Sequence, residues 1–239
     1  MSHPSCIYGQ PKLAAPDIPQ TCRHGIGIRL APRLLVQIPV YPGMDEGDLI
    51  ELFWNDCYVA SKILSASDLH QPVALRVPES FLQNGKARAS YRVMKVGGTP
   101  QASACRKLWV KLDAPGGALL GPDEAENQGL APLSLPASVL RCGITARHRD
   151  SGLPLSIEPY PNMAPHDEIT LRWGDTRMDL PPLRVEEIGE PVEFVVPPAL
   201  LRETGDEPSL EATYCIIDRV GNNSSWAPPR EIPLHDGDD

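Results

Sequence analysis

The side chains best suited to chemistry in this sequence are acids and amides close to its C-terminal end. Asp218, Asn222 and Asn223 lie close together, and Asp167 or Asp175 could join them where loops meet. Carboxylate and amide oxygens are the ligands that calcium prefers, so this set is a weak calcium candidate, centred on Asp218 and Asn222. The alternative is that these two residues only shape a turn through hydrogen bonds to nearby backbone.

Other side chains that could support catalysis lack a suitable arrangement. Asp48 and Asp167 occupy one equivalent place ahead of a strand, where an acid more often caps a turn than catalyses. The six histidines share no repeated position, and the sequence has no nucleophile elbow, phosphate-binding loop or dinucleotide fingerprint. We therefore expect neither an enzyme nor a cofactor. A hydrolase with a site between two domains is the less favoured alternative.

An internal repeat specifies the architecture. Residues 41–54 realign without a gap onto 160–173, and 72–82 realign onto 191–201 with the same shift of 119 residues. One spacing kept over a long stretch indicates two copies of one unit. Each copy has about a hundred residues, which is the usual size of a small domain.

The repeat and the composition around it predict the domain limits. We expect an N-terminal tail at 1–13, a first domain at 14–112, a linker at 113–129, a second domain at 130–235 and a C-terminal tail at 236–239. The linker contains several glycines and acidic residues, which indicates some mobility.

Both copies have the hydrophobic alternation of half-buried β-strands. Ile169, Leu171 and Trp173 alternate with polar residues, and the first copy repeats this pattern up to Trp54. The 27 prolines and 19 glycines favour short strands separated by turns. Further strands are predicted, copy by copy, at 26–30 and 143–147, 34–39 and 155–158, 72–77 and 191–196, around Tyr91 and Tyr214, and at 105–112 and 230–234. This pattern predicts an all-β protein of two tandem antiparallel β-sandwiches.

Three stretches resemble tandem bacterial immunoglobulin-like and fibronectin type III-like repeat modules. They are the strand at 47–54, the VPxxLL turn at 196–201 and the segment at 214–226. The last is similar to the Tyr-x-Val-x-Asp-x-x-Gly-Asn-x-Ser ending of such modules, and the first copy departs from it by lacking the Asp and the Asn.

The resemblance extends over residues 14–235 and implies two immunoglobulin-like β-sandwiches that bind or space other parts of an assembly. The side chains expected in the two cores are Trp54, Trp173, Tyr91 and Tyr214. An adhesion or spacer unit of the kind found in bacterial surface proteins is the first hypothesis, with an unknown protein or glycan as its partner. The alternative is an intracellular interaction protein that assembles with itself, or with a secreted toxin or phage-like particle.

The formal charge of −9 is unevenly distributed. Residues 14–112 contain 12 Lys and Arg against 8 Asp and Glu, whereas residues 130–239 contain 9 against 19. One interpretation is that both charged surfaces are simply solvated. The other is that the opposite electrostatic fields of the two domains support self-association, in which the first domain of one molecule binds the second domain of another. Nucleic acid is not an expected partner, because the balance is acidic and no basic stripe with interleaved aromatic residues occurs.

The outward face of the first copy carries apolar residues where the second copy is polar. Leu49 and Phe53 stand where the second copy has Glu168 and Arg172, and the last strand turns Trp109 away from its buried neighbours. Apolar residues on an otherwise solvated face indicate a contact surface. Leu49, Phe53 and Trp109 therefore form the candidate contact face, unless the lead-in segment or the other domain covers them.

Cysteine placement and the N-terminal residues bear on the compartment. Of the six cysteines, only Cys22 and Cys142 come near the repeat spacing, so we expect reduced thiols rather than a disulfide framework. No stretch approaches the roughly 20 apolar residues of a membrane-spanning helix. The first residues lack the order of a secretory signal. We expect a cytoplasmic or non-classically exported protein without a membrane span.

Overall fold

The chain forms two compact units, each of which buries its own cluster of apolar side chains. The boundary falls between Leu112 and Asp113. The computed structural model describes residues 13–21, 25–118, 125–203 and 208–234. The predicted C-terminal tail, and the N-terminal tail except Leu13, lie outside these ranges.

The first unit contains eight strands in its described part: β1 (Gly25–Ile26), β2 (Leu35–Ile38), β3 (Leu49–Trp54), β4 (Cys57–Ile63), β5 (Val73–Arg76), β6 (Gly85–Met94), β7 (Gln101–Ala102) and β8 (Arg106–Val110). The larger sheet has the order β1-β8-β6-β3-β4, with β7 paired to β6, and the smaller sheet pairs β2 with β5. All pairings are antiparallel except that of β1 with β8. Single turns of 3-10 helix lie at Ala31–Arg33, Ala66–Asp68 and Glu79–Phe81.

The second unit repeats this arrangement. Its strands are β9 (Leu153–Ile157), β10 (Glu168–Trp173), β11 (Thr176–Asp179), β12 (Val192–Val196), β13 (Ser209–Ile217) and β14 (Arg230–Pro233). The sheets, β11-β10-β13-β14 and β9-β12, are antiparallel. Its helices are α1 (Ala137–Cys142), α2 (Ala146–Ser151) and α3 (Pro198–Arg202), with a 3-10 turn at Val185–Glu187. The predicted fold class, two tandem antiparallel immunoglobulin-like β-sandwiches, is confirmed.

Alternating burial along equivalent strands builds both cores. Strands β3 and β10 show the same alternation of half-buried and buried positions, as a two-residue period requires. Each unit buries a tryptophan and a tyrosine from neighbouring strands of its larger sheet. These four side chains, Trp54, Tyr91, Trp173 and Tyr214, are 1% exposed or less.

Two local predictions were wrong. Residues 143–147 do not form a strand, because Gly143 ends α1 with a φ of 73° and α2 begins at Ala146. Thr145 precedes α2, and its backbone N–H donates to His148 Nδ1 at 3.2 Å, which closes the helix start. The strand predicted at 26–30 ends at Ile26, because the backbone then turns and Leu30 N–H donates to the carbonyl of Gly27.

The described parts of the predicted linker at 113–129 make contacts with other residues of the second unit. Asn162 Nδ2 donates to the carbonyl of Ala114 at 2.9 Å, and Asn127 N–H donates to the carbonyl of Trp226 at 2.8 Å. Gly116 has a φ of 75°, and a Cβ there would lie 2.7 Å from the side chain of Leu130. The glycine that suggested mobility therefore permits close packing against the second unit.

Candidate functional site

The outward side of the larger sheet in the first unit holds the candidate contact face. Leu49 lies opposite Met94, Phe53 opposite Ser90, and Trp109 opposite Lys86. All three predicted residues are half-buried. All three side chains lie on one side of the sheet, but they are not adjacent. The cross-strand pair Glu51 and Arg92 lies between Leu49 and Phe53. The cross-strand pair Arg88 and Lys107 lies between Phe53 and Trp109. The face is therefore a mosaic of apolar and charged rows.

Charged and aromatic neighbours on the same face cover Phe53. The guanidinium carbon of Arg92 lies 5.3 Å from the ring centroid, and the ring of Tyr58 packs edge-on at 6.3 Å. Arg92 Nη2 donates to Glu51 Oε2 at 2.6 Å. A cation stacked on an aromatic face is a favourable contact. Part of the Phe53 ring surface is therefore already covered by Arg92 and Tyr58 of the same unit.

The second unit has a related cluster that sequence reasoning did not assign. The guanidinium groups of Arg172 and Arg177 lie 5.3 Å and 5.7 Å from the centroid of the Trp226 ring. Glu211 Oε2 lies 3.8 Å from Arg172 Nη2. These residues come from three separate stretches of chain, so no local spacing in the sequence predicts the cluster.

An apolar row ends the outward face of the first unit. The row consists of Ile63, Leu49 and Met94, which lie directly opposite one another on β4, β3 and β6. Ile63 is 67% exposed. The second unit has Glu168 in the position of Leu49. The apolar row of the first unit is therefore interrupted by an acid in the second unit, which is why we retain the surface around Leu49 as a binding candidate.

The weak calcium candidate is a closed turn. Asp218 is 0% exposed, and its Oδ1 accepts backbone hydrogen bonds from Val220 at 3.0 Å and Asn222 at 2.9 Å. Its Oδ2 accepts from Asn222 Nδ2 at 2.9 Å. Asn223 is exposed and pairs its backbone with Ile217. Within the described residues, no group of three or more His, Cys, Asp or Glu side chains could hold a metal ion.

The repeated acids also hold turns. Tyr41 Oη donates to Asp48 Oδ2 at 2.9 Å, and Tyr160 Oη donates to Asp167 Oδ2 at 3.0 Å. Burial, followed by the neighbouring carboxylate, raises the pKa of both tyrosines well above its usual range. The acids are 3% and 0% exposed. Asp48 Oδ2 also accepts a hydrogen bond from the backbone N–H of Asp45, and Asp167 Oδ2 accepts one from the backbone N–H of Ala164 at the equivalent position.

A groove of about 630 Å³ lies in the second unit between the β10–β11 turn and α3. Its described lining mixes both charge signs with leucines and with the hydroxyls of Thr176 and Ser209. It includes Asp175, the remaining member of the calcium candidate set. The described residues of this lining include no histidine or cysteine.

Four cysteines fall within the described residues, and all are free thiols. Cys57, Cys105 and Cys142 are exposed, and burial raises the pKa of the half-buried Cys215. Cys6 and Cys22 lie outside the described residues. None of the described helices is long and apolar enough to cross a membrane.

Comparison with known proteins gave only structural matches. No protein-family model matches the sequence. No curated protein matches it either. A solved bacterial ice-binding adhesin structure is 14% identical over 94% of this chain and 65% of its own, with a TM-score of 0.39.

Two further solved structures are similar. The fibronectin(III)-like modules of Clostridium thermocellum CbhA are 11% identical over 92% of this chain and 93% of theirs, with a TM-score of 0.41. A tetra-tandem repeat from a large adhesion protein is 13% identical over 93% of this chain and 49% of its own, with a TM-score of 0.34. The solved structures similar to this chain thus include fibronectin(III)-like modules and bacterial adhesin repeats.

Proposed function

We propose that this chain is a non-catalytic binding or structural module of two immunoglobulin-like repeats, of the adhesion or spacer type. The observation that carries the proposal is that the buried polar residues shared by both units hold turns closed. In both Asp48 and Asp167, Oδ2 accepts hydrogen bonds from a tyrosine hydroxyl and from a backbone N–H of the same turn. What the two units leave available for function is the outward surface of their sheets.

The outer edges of the larger sheets also suit a spacer. An exposed edge strand can pair with another chain, and proteins block it with bulges, charges, prolines or short strands. Strand β4 has a bulge opposite Leu52 and Phe53, and its Lys62 is bonded to Asp68. Strand β11 has only four residues and is followed by Pro181 and Pro182. Each unit protects this edge with a different device, which allows such units to be strung together without pairing edge to edge.

Recognition is assigned to the outward face of the first unit, around the apolar row and the candidate contact face. The test is binding of the whole chain to a glycan array and to a protein microarray. We expect Leu49→Thr combined with Ile63→Thr to reduce binding at least tenfold. Val195→Thr is the matched control, because Val195 is 54% exposed on a strand of the second unit.

Two results would contradict this proposal. Equal loss of binding in the double variant and in the Val195→Thr control would remove the first unit's face from the site. Turnover of a panel of ester and glycoside substrates by the purified chain would overturn the non-catalytic assignment.

The second candidate function is an intracellular interaction protein. Three exposed free thiols favour it, because exposed thiols persist in reducing compartments. Thiol titration of unreduced protein purified from its native cell tests this. We expect all six cysteines to react after denaturation, and a loss of two or more reactive thiols would favour the exported form.

A further inference from the structure

Each unit places two like charges directly opposite one another at an equivalent point of its larger sheet. In the first unit Arg88 on β6 faces Lys107 on β8. In the second unit Glu211 on β13 faces Glu231 on β14. Like charges in directly opposite cross-strand positions are destabilising. Each unit therefore carries an unfavourable pair at this site, and the sign of the pair is reversed between the units.

The neighbouring pairs establish that the two sites are equivalent. The next pair along the strands is Ala89 with Arg106 in the first unit and Ala212 with Arg230 in the second. The preceding pairs are Ala87 with Leu108 and Leu210 with Ile232, in which Ala87 and Ile232 are buried and the two leucines are half-buried. The strand register thus matches on both sides of the charged pairs.

The repulsion is only partly offset within each unit. Arg88 pairs with Asp56, and Lys107 has no ion pair within the described residues. Glu211 lies 3.8 Å from Arg172, and Glu231 accepts a hydrogen bond from Ser209 at 2.8 Å. The side chains of Arg88 and Glu211 remain 53% and 66% exposed.

We propose that the Arg88–Lys107 face of one molecule binds the Glu211–Glu231 face of a second copy of this chain. The inference rests on the proposed non-catalytic binding function and names one partner for it. Bringing the faces together places each like-charged pair against two charges of opposite sign. The wider fields favour the same encounter, because residues 14–112 carry an excess of four positive charges and residues 130–239 an excess of ten negative ones. Since the two faces differ, the contact is head-to-tail.

The half-buried Trp109 supplies apolar area next to the basic pair. It lies opposite Lys86 in the adjacent outward row, two residues along β8 from Lys107. On the acidic side, the corresponding row holds Ser209 and Pro233, which carry no charge to oppose an aromatic ring. The proposed contact thus gives Trp109, which the sequence singled out, a specific place in an interface.

Sedimentation velocity of the whole chain, at low and at high salt, tests the contact. We expect concentration-dependent association at low salt that weakens at high salt, where screening is strong. Arg88→Glu combined with Lys107→Glu should lower the association constant at least tenfold. Glu211→Lys combined with Glu231→Lys should do the same. An equimolar mixture of the two variants should recover a dimer, because each retains one of the two wild-type faces.

Matched controls move the same charge elsewhere on each unit. Arg29→Glu with Arg33→Glu and Glu186→Lys with Glu190→Lys alter exposed residues away from these sheet faces and should leave association unchanged. Circular dichroism establishes that every variant is folded. A wild-type chain that stays monomeric at low salt, controls as weak as the test variants, or a mixture that stays monomeric would each overturn the contact. A monomeric chain that still binds the arrays would overturn this contact and leave the proposed function standing.

Discussion

Buried tyrosine hydroxyls divide into two kinds in this molecule. Those of Tyr41 and Tyr160 donate to a buried carboxylate, and that of Tyr214 donates to the carbonyl of Ala131. The hydroxyl of Tyr91 is buried and has no hydrogen-bond partner within the described residues. Removing a hydroxyl should therefore have opposite effects at Tyr160 and at Tyr91, although both side chains lie in a core.

Tyr160→Phe is expected to destabilise the chain by about 1–3 kcal/mol, because the buried Asp167 carboxylate loses a donor. Tyr91→Phe is the matched control and should be neutral or slightly stabilising, since no bond is lost and a buried hydroxyl is removed. Urea unfolding followed by circular dichroism measures both. A loss of stability as large in Tyr91→Phe as in Tyr160→Phe would contradict the assignment.

Stability is also expected to fall in alkali. Burial raises the pKa of Tyr91 to about 12, and an unfolded tyrosine titrates near about 10. The folded state thus keeps a proton that the unfolded state has lost, so this contribution is complete below about pH 10 and disappears as the pH rises through about 12. Urea midpoints measured across this range should decrease, and the decrease should be smaller in Tyr91→Phe. An identical decrease in that variant would rule out Tyr91 as a source.

Among the elements, the segment that enters the second unit is held more closely than its composition suggests. Residues 125–129 lead into the unit beside the loop at Trp226, with a parallel bridge between Glu126 and Trp226. Asn127 is 2% exposed, and its Oδ1 accepts a hydrogen bond from Gly129 N–H at 2.9 Å. The close approach of backbone at Gly116 completes this packing, and it provides a direct test.

Gly116→Ala is expected to destabilise the second unit more than Gly117→Ala. Both glycines have positive φ values, 75° and 81°, so alanine is strained by about 1–2 kcal/mol at either position. Only at Gly116 would the added Cβ meet a side chain, 2.7 Å from Asn127 Nδ2, which adds about 1–3 kcal/mol of overpacking. Thermal unfolding of the two variants compares them. Equal shifts in melting temperature would show that this segment is not packed.

Strand prediction from sequence succeeded where one side of a strand is buried and the other is not. Strands β3 and β10 alternate strictly, so their pattern is visible in the sequence. Strands β4 and β11 were not predicted, because edge strands with exposed residues on both sides lack that alternation. The arginine cluster around Trp226 and the opposed charges of Arg88 and Lys107 depend on strand register, which a single sequence does not specify.

In the whole molecule, duplication preserved the cores and diversified the surfaces. Leu52 and Leu171 occupy equivalent places in separate core clusters, and both are 0% exposed. The second unit has the helices α1 and α2 before its first strand, whereas the described residues before β2 in the first unit include a 3-10 turn at Ala31–Arg33. Because the cores of the two units are equivalent although their surfaces differ, we expect equivalent core substitutions to have similar effects in the two units.

Leu52→Ala and Leu171→Ala should each cost about 2–5 kcal/mol, because each leaves a cavity in a closely packed core. Since the two residues belong to separate clusters, the effects should add in the double variant. Chemical unfolding of the wild type, both single variants and the double variant completes the cycle. A double variant that departs from the sum by more than about 1 kcal/mol would contradict independent cores.

The hydrogen bonds from Asn162 to Ala114 and from Asn127 to Trp226 have a practical consequence for anyone who isolates the second half. A recombinant fragment that begins at residue 130 discards both of these anchoring segments and uncovers the side chain of Leu130. A fragment that begins at residue 113 retains them. The first residue chosen for the fragment therefore determines whether the isolated second unit keeps the packing that it has in the whole chain.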